Sequence, residues 1–364
     1  MYILRNAERI QFRKEPMKLS GQVGMGLDAA LGLLGRRRPV NVMVSITDHC
    51  CSRCSYCQIP EQGRPDLSTE QWKDLFRQMR EAGTRRIGIW GGEPLMRKDI
   101  VELCAYARKL GIYVSVDSNG YLLPTRPEIL ENIDHLVLAY DGPEEAHDAN
   151  REKGSHAKVI RAMETASGRT RLWTITVLTR NNINHLDHIM ETALRYGFQT
   201  TFQTLHHNSK LGGDTSGMMP SRDEYAEVYR TLLRMKRDGS PIANSTRYLE
   251  SLSQWPDYSV TRMPVKFHGV SCRAGRMYCN IDADGRVYPC SLLIGIYPGA
   301  LNALDAGFGR AFEGTLELPC QACTASCYTE YNYLYNLRPG VALQWHRSVA
   351  ETDRMMKEKQ AAGR

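Results

Sequence analysis

The stretch DHCCSRCSYC (48–57) contains the spacing C-x-x-x-C-x-x-C at Cys50, Cys54 and Cys57. It directly follows NVMVSIT (41–47), a short run rich in β-branched residues that predicts a strand. Three thiolates on one short loop can bind three irons of a 4Fe-4S cluster and leave the fourth iron without a protein ligand. Zinc prefers four tetrahedral ligands, and the adjacent Cys51 cannot readily point at the same metal. The spacing therefore favours iron over zinc.

Short apolar runs alternate with helical patterns from Val40 onward, which predicts stacked β-α units and a largely parallel sheet. Six runs are predicted strands: 41–47, 86–90, 112–118, 135–140, 173–179 and 199–205. The loops that follow them are rich in Gly, Asn or Asp. In parallel α/β folds the loops after the carboxyl ends of the strands form the active site, so we expect the chemistry there.

Four further motifs follow the strands in order: WGGEP (90–94), DSNGYLL (117–123), AYDGP (139–143) and HDANR (147–151). With the cysteine loop, they resemble the radical S-adenosylmethionine (radical SAM) superfamily. The resemblance implies a partial (β/α)6 barrel and a 4Fe-4S cluster whose open iron is chelated by S-adenosylmethionine. Such a cluster cleaves S-adenosylmethionine reductively to a 5'-deoxyadenosyl radical, which abstracts hydrogen from a substrate. A flavodoxin or ferredoxin would supply the electron.

The resemblance also implies which residues contact S-adenosylmethionine: Tyr56, Gly91, Gly92, Glu93, Ser118 and Asn119. Glycines permit close backbone approach, and a carboxylate supplies a counter-charge to an ammonium group. The candidates for proton transfer are Asp141, His206 and His207. Asp141 reads equally well as a turn residue, and adjacent histidines in a loop are more often simply polar surface.

A second cysteine group begins at Cys272, and a predicted hairpin at Asp284-Gly285 lies within it. It resembles the SPASM or shorter twitch extension of radical SAM enzymes, which implies at least one auxiliary 4Fe-4S cluster. By analogy with twitch spacing, its ligands are Cys272, Cys290, Cys320 and Cys323, with Cys279 and Cys327 as alternates. A structural zinc site is a stronger alternative here, because two cysteine pairs flank a turn.

We predict four regions: an amphipathic, basic N-terminal segment (1–39), the barrel (40–238), the cysteine-rich auxiliary domain (239–335) and a helical tail (336–364). The net charge of +7 is too weak to indicate nucleic-acid binding. Arg36, Arg37 and Arg38 form a basic cluster that is either a solvated helix end, which we favour, or a weak contact with a membrane surface. The N-terminus lacks a secretory signal, and we expect a cytoplasmic protein.

The substrate is the least determined part of the prediction. The segment before Val40 is too short for a leader-binding domain, which favours a small molecule, cofactor precursor or lipid over a peptide. A peptide maturase that cross-links, epimerises or oxidises its substrate is the alternative. A non-enzymatic binding protein stabilised by zinc or a cluster is the second alternative.

Overall fold

The computed structural model describes residues 19–206, 211–316 and 318–362, with side chains from residue 26 onward. The predicted site residue His207 lies outside these ranges. Within them, no helix is both long and apolar enough to cross a membrane.

Six parallel strands form the barrel portion and confirm the predicted α/β class. They are β1 (Asn41–Ser45), β2 (Arg86–Trp90), β3 (Tyr113–Ser118), β4 (His135–Ala139), β5 (Arg171–Leu178) and β6 (Gln199–Thr204). Each strand pairs in parallel register with the next along the chain. The carboxyl ends of all six strands therefore lie at one edge, where the motif loops meet.

The helices of the described residues connect and cover the strands. Their bounds are α1 (Leu19–Leu33), α2 (Thr69–Ala82), α3 (Ile100–Lys109), α4 (Glu144–Asn150), α5 (Ser155–Ala166), α6 (Leu186–Tyr196), α7 (Arg222–Arg237), α8 (Thr246–Ser253), α9 (Ala303–Ala306), α10 (Phe308–Glu313), α11 (Ser326–Tyr335) and α12 (Pro339–Ala362). The start of α2 confirms the capping box predicted from Ser68 and Gln71: each side chain accepts a hydrogen bond from the other's backbone N–H.

The cysteine-rich region adds two strands to the same sheet, β8 (Tyr278–Ile281) and β9 (Val287–Tyr288). The resulting order is β6-β5-β4-β3-β2-β1-β8-β9, with β8 parallel to β1 and β9 antiparallel to β8. The hairpin predicted at Asp284-Gly285 joins β8 to β9. Two short strands, β7 (Arg262–Met263) and β10 (Ala322–Cys323), form a separate antiparallel pair.

The last two helices pack against the barrel strands. On α11, the Tyr331 hydroxyl accepts a hydrogen bond from Arg86 of β2 at 2.7 Å. On α12, Thr352 accepts a hydrogen bond from the Trp173 indole of β5 at 2.8 Å. The predicted helical tail is thus a packed element of the fold.

Arg37 and Arg38 of the N-terminal basic cluster form contacts with other parts of the fold. Arg37 donates to the backbone oxygens of Gly275 and Phe312, and its guanidinium lies 5.1 Å from the centroid of the Phe312 ring. Arg38 pairs with the buried Asp28. Arg37 and Arg38 are therefore not simply the solvated helix end that the sequence favours, because both are engaged by protein groups, and the alternative of a membrane contact stays untested.

Candidate active site

The cysteine loop leaves β1 and is fastened to the loop after β2 by backbone hydrogen bonds. Gly92 donates to the Thr47 carbonyl at 2.8 Å, and Glu93 donates to the His49 carbonyl at 2.7 Å. A Cβ on Gly92 would lie 2.2 Å from the His49 oxygen, and one on Gly91 would lie 2.5 Å from the Thr47 oxygen. The two glycines are required because the two loops touch each other.

A cavity of about 220 Å³ opens at the carboxyl ends of the strands. Its walls contain the three cysteines of the loop and five of the six residues expected to contact S-adenosylmethionine: Cys50, Cys54, Cys57, Tyr56, Gly91, Gly92, Ser118 and Asn119. The Asn119 amide nitrogen lies 3.8 Å from the Cys50 sulfur. The fold thus brings together residues from three separate motifs.

Glu93 does not line this cavity. Its carboxylate is fully buried and accepts hydrogen bonds from the Ser118 hydroxyl and the Asn119 backbone N–H, both at 2.8 Å, and from the Leu95 N–H at 3.0 Å. Burial raises the pKa of this carboxyl. In this structure Glu93 positions the Ser118-Asn119 turn, and its predicted contact with the cofactor's ammonium group stays untested.

Asp141 is also inaccessible, with an exposed fraction of 0%. Its carboxylate accepts from the Arg151 guanidinium at 2.9 Å and from the Val177 N–H at 3.0 Å. Its backbone N–H donates to His147, whose pKa burial lowers to about 2. Because both Asp141 oxygens are engaged, we infer a positioning role for this residue, and its prediction as a proton-transfer residue stays untested.

Arg151 is the site residue that sequence reasoning missed. Its guanidinium lines the cavity, lies 3.6 Å from the Cys54 sulfur and sits 5.8 Å from the centroid of the Tyr56 ring. It offers a cation beside the cysteine loop, where a ligand carboxylate can pair with it. The HDANR motif contained the residue, but only the fold shows that it reaches the cavity.

The cavity floor is largely apolar, formed by Trp90, Val137, Ala139, Ile175 and Val177. Asp117 of β3 is the acidic group in this lining, and it makes no hydrogen bond or ion pair with the described residues. Burial raises the pKa of this carboxyl to about 6. An apolar, partly closed chamber of this kind excludes water from a reactive intermediate.

Two thiols of the loop, those of Cys50 and Cys57, are buried and resist ionisation. Burial raises the pKa of the Cys50 thiol to about 12 and that of the Cys57 thiol to about 11. Metal binding must therefore displace protons, as thiolate ligation generally does. When bound here, a reduced 4Fe-4S cluster supplies the electron that cleaves S-adenosylmethionine.

A second cavity is lined by four cysteines from three segments of the chain: Cys272, Cys290, Cys320 and Cys323. Burial raises the pKa of the Cys290 thiol well above its ordinary value, and the neighbouring thiols of Cys272, Cys323 and Cys320 add to this effect. Four ionised sulfurs in this apolar setting need positive metal charge nearby. A single metal ion needs several side chains that converge on one point, and the described residues contain no group of three or more Cys, His, Asp or Glu arranged in that way. A 4Fe-4S cluster has a different requirement, because each cysteine sulfur binds its own iron.

The surroundings of this cavity are aromatic and hydrogen-bonded. Tyr278 stacks on Tyr328 with ring centroids 5.4 Å apart, and its hydroxyl lies 3.5 Å from the Cys272 sulfur. His268 bridges the Ser251 hydroxyl and the Cys323 carbonyl. These contacts fix the orientation of the cysteine-bearing segments.

The two alternate cysteines do not line the second cavity. Cys279 is buried on β8, with Arg37 as its charged neighbour. Cys327, on α11, has Asp117 and Arg86 as its charged neighbours. We therefore propose the first choice of four cysteines as the auxiliary ligands.

His206 follows β6 but lies outside the cavities described above. Burial lowers its pKa to about 4, and its Nε2 atom has no hydrogen-bond partner. Its prediction as an acid-base residue stays untested.

Arg64 links the two cysteine regions. It forms a bidentate pair with Asp48, at 2.6 and 2.7 Å, and a second pair with Asp282 beside the β8–β9 hairpin. Asp48 is two residues before Cys50. The ion pairs therefore couple the position of the cysteine loop to that of the hairpin.

The cysteine loop, its cavity and the second group of cysteines together are typical of one class of protein, and sequence similarity indicates the same class. Residues 44–193 match the sequence profile of the radical SAM superfamily. Residues 44–193 therefore form a radical SAM domain, and the chain is a radical SAM enzyme.

Among known proteins, the chain is similar to mycofactocin maturase MftC. The MftC of Mycolicibacterium smegmatis (strain ATCC 700084 / mc(2)155) is 29% identical over 309 residues, which cover 81% of this chain and 73% of that protein. The MftC of Mycobacterium tuberculosis (strain ATCC 25618 / H37Rv) is 28% identical over 308 residues, covering 82% and 74%.

Solved structures show the same fold. Streptococcus suis SuiB bound to S-adenosylmethionine has a TM-score of 0.61 at 14% identity, covering 77% of this chain and 67% of SuiB. Native anSMEcpe with bound AdoMet has a TM-score of 0.59 at 16% identity, covering 84% and 99%. The enzyme uses S-adenosylmethionine and a 4Fe-4S cluster, together with at least one auxiliary 4Fe-4S cluster.

Proposed function

We propose that this radical SAM enzyme is a peptide maturase, which abstracts hydrogen from a residue of a peptide substrate. The observation that carries the proposal is the similarity to mycofactocin maturase over 81% of the chain. A match of that extent reaches beyond residues 44–193 into the cysteine-rich region. The likeness therefore includes both parts of the molecule that carry cysteine sites.

Two structures with the same fold support a peptide as the substrate class. SuiB has been solved with its precursor peptide SuiA, with a TM-score of 0.62 at 14% identity and coverage of 86% and 74%. The anSMEcpe enzyme has been solved with the Cp18Cys peptide. This support favours the peptide alternative over the small molecule.

In the proposed reaction Cys50, Cys54 and Cys57 hold the cluster that receives S-adenosylmethionine. Arg151 pairs with the carboxylate of the cofactor's methionine portion. Ser118 and Asn119 line its site and are held in place by Glu93. A flavodoxin or ferredoxin supplies electrons.

The test compares fractions of host extract as stimulants of 5'-deoxyadenosine formation by the reconstituted, reduced enzyme. A peptide substrate predicts stimulation by a fraction of peptide size, and loss of that stimulation after digestion with a nonspecific protease. Stimulation by a fraction of small molecules that survives digestion would instead support the small-molecule alternative and refute the peptide proposal. An undigested fraction carried through the same heating and quenching steps is the control.

A further inference from the structure

A groove of about 670 Å³ lies between the glycine-rich segment after β6 and the cysteine-rich region. One wall contains Gly213, and Cys320 lies in the lining. A Cβ on Gly213 would lie 2.6 Å from the Gln58 amide nitrogen, so this wall packs against the residue that follows Cys57. The groove thus extends between the surroundings of the two cysteine sites.

The strand β7 forms another wall of the groove, and among the described residues β10 is its only strand partner, so its other edge has no paired strand. Arg262 faces Cys323 of β10 in antiparallel register. The carbonyls of its neighbours Thr261 and Met263 accept hydrogen bonds from that side, from Thr324 and Gln321. Since polar groups alternate along an antiparallel strand, the N–H and C=O of Arg262 point away from β10.

The Arg262 guanidinium, like its backbone groups, is available to bind a ligand in the groove. It makes no hydrogen bond or ion pair with any residue in the described ranges, although Arg262 lines the groove. Burial raises the pKa of the Cys320 thiol, and the positive charge of Arg262 acts in the opposite direction. The groove rim is apolar, with Val260 and Ile296 exposed by 41% and 45%.

The backbone N–H and C=O of Arg262 and its guanidinium can all contact one residue of an added strand. A peptide residue that exchanges both backbone hydrogen bonds with Arg262 lies directly opposite it. Directly opposite residues have their side chains on the same face of the sheet. A carboxylate at that position would therefore meet the guanidinium.

We propose that this groove binds an extended segment of the peptide substrate, which pairs with the free edge of β7 and places an acidic side chain on Arg262. The inference rests on the proposed function and specifies its substrate: a peptide with an acidic residue flanked by residues suited to a strand. Strand addition of this type takes affinity from the main chain and specificity from side chains. The acidic residue then lies beside the auxiliary site.

The test measures binding of short probes to the reconstituted holoenzyme by fluorescence anisotropy at low ionic strength. The probes are fluorescein-labelled Val-Thr-Asp-Thr-Val with blocked ends, the same peptide with Asn at the centre, and the Asp peptide methylated on the central amide nitrogen. The Asp peptide is expected to bind about tenfold more tightly than either of the others, because each loses a hydrogen bond or the charge pair.

The protein variant Arg262→Gln should bind the Asp and Asn peptides equally. The matched control is Arg161→Gln on α5, an exposed arginine outside the groove, which should keep the preference. Equal affinity of wild type for the three probes, no measurable binding, or a preference that survives in Arg262→Gln would overturn the proposal. If Arg262→Gln loses iron, the three probes on wild-type protein still decide the question.

The outcomes are separable from those of the proposed function. Protease-insensitive stimulation of 5'-deoxyadenosine formation refutes the peptide maturase, whatever the probes do. If a protease-sensitive stimulant works equally well with wild type and Arg262→Gln, the maturase stands and the role of this groove is refuted.

Discussion

At the scale of single residues, the buried pair between Arg151 and Asp141 connects the loop after β4 to the cysteine loop. Asp141 holds the guanidinium through one oxygen and the β5 backbone through the other. Arg151 in turn reaches the Cys54 sulfur. The pair therefore places a fixed cation at the edge of the cofactor cavity.

The variant Arg151→Gln should lose both stability and cofactor affinity. It leaves the Asp141 carboxylate buried without its cation, which typically costs about 3–5 kcal/mol of unfolding free energy. Affinity for S-adenosylmethionine should fall as well, since the cofactor's carboxylate loses its partner. Anaerobic urea unfolding and equilibrium dialysis measure the two effects.

The control is Arg354→Gln, which removes an exposed arginine paired with Glu351 and Glu358 on α12. It should change the unfolding free energy by less than about 1 kcal/mol and leave cofactor binding intact. If Arg151→Gln behaved like this control, the positioning role of the pair would be refuted.

At the scale of elements, α12 closes one side of the barrel by contacts with β5. Arg171 of β5 forms a bidentate pair with Asp353, at 2.5 and 2.8 Å, next to the bond between Trp173 and Thr352. A Cβ on Gly168 would lie 3.0 Å from the Gln360 backbone nitrogen, so the helix also packs closely near its end.

Asp353→Asn should destabilise the protein by about 1–3 kcal/mol, because a partly buried guanidinium loses its charged partner. The matched variant on the same helix is Glu358→Gln, which breaks an exposed pair with Arg354 and should cost less than about 0.5 kcal/mol. Thermal unfolding of both variants measures the difference. Equal effects would mean that α12 is not held by the Asp353 contact.

At the scale of the whole molecule, one sheet connects the first cysteine loop to the hairpin that precedes Cys290 of the second site. β1 precedes the first cysteine loop, its neighbour β8 leads into the hairpin before Cys290, and the Trp90 indole donates to Asn280 across β1 at 3.0 Å. Arg64 adds ion pairs to both sides. The two sites are therefore coupled through adjacent strands, and the peptide groove lies beside the second of them.

Much of this organisation could be predicted from the sequence, because local rules determine it. The strands follow from short β-branched runs, the start of α2 from Ser68 and Gln71, and the β8–β9 hairpin from Asp284-Gly285. The cysteine spacing indicated the cluster loop, since three ligands of one metal centre lie within a few residues.

The remaining features depend on contacts between distant segments. No local pattern shows that β8 lies beside β1, that Arg151 reaches Cys54, or that α12 packs on β5. The motif resemblance predicts that Glu93 contacts the cofactor, but only the fold shows that its buried carboxylate accepts a hydrogen bond from Ser118. Similarly, Arg37 and Arg38 form a basic cluster in the sequence, and their protein partners lie far along the chain or on a preceding helix.

We infer that Cys50, Cys54 and Cys57 hold a cluster that cleaves S-adenosylmethionine, separate from a second cluster on four other cysteines. The decisive measurement is iron content and 5'-deoxyadenosine formation in anaerobically reconstituted Cys54→Ala, with Cys327→Ser as control. We expect Cys54→Ala to keep about four of about eight irons and to form no 5'-deoxyadenosine, and Cys327→Ser to retain both. Undiminished 5'-deoxyadenosine formation by Cys54→Ala would contradict it.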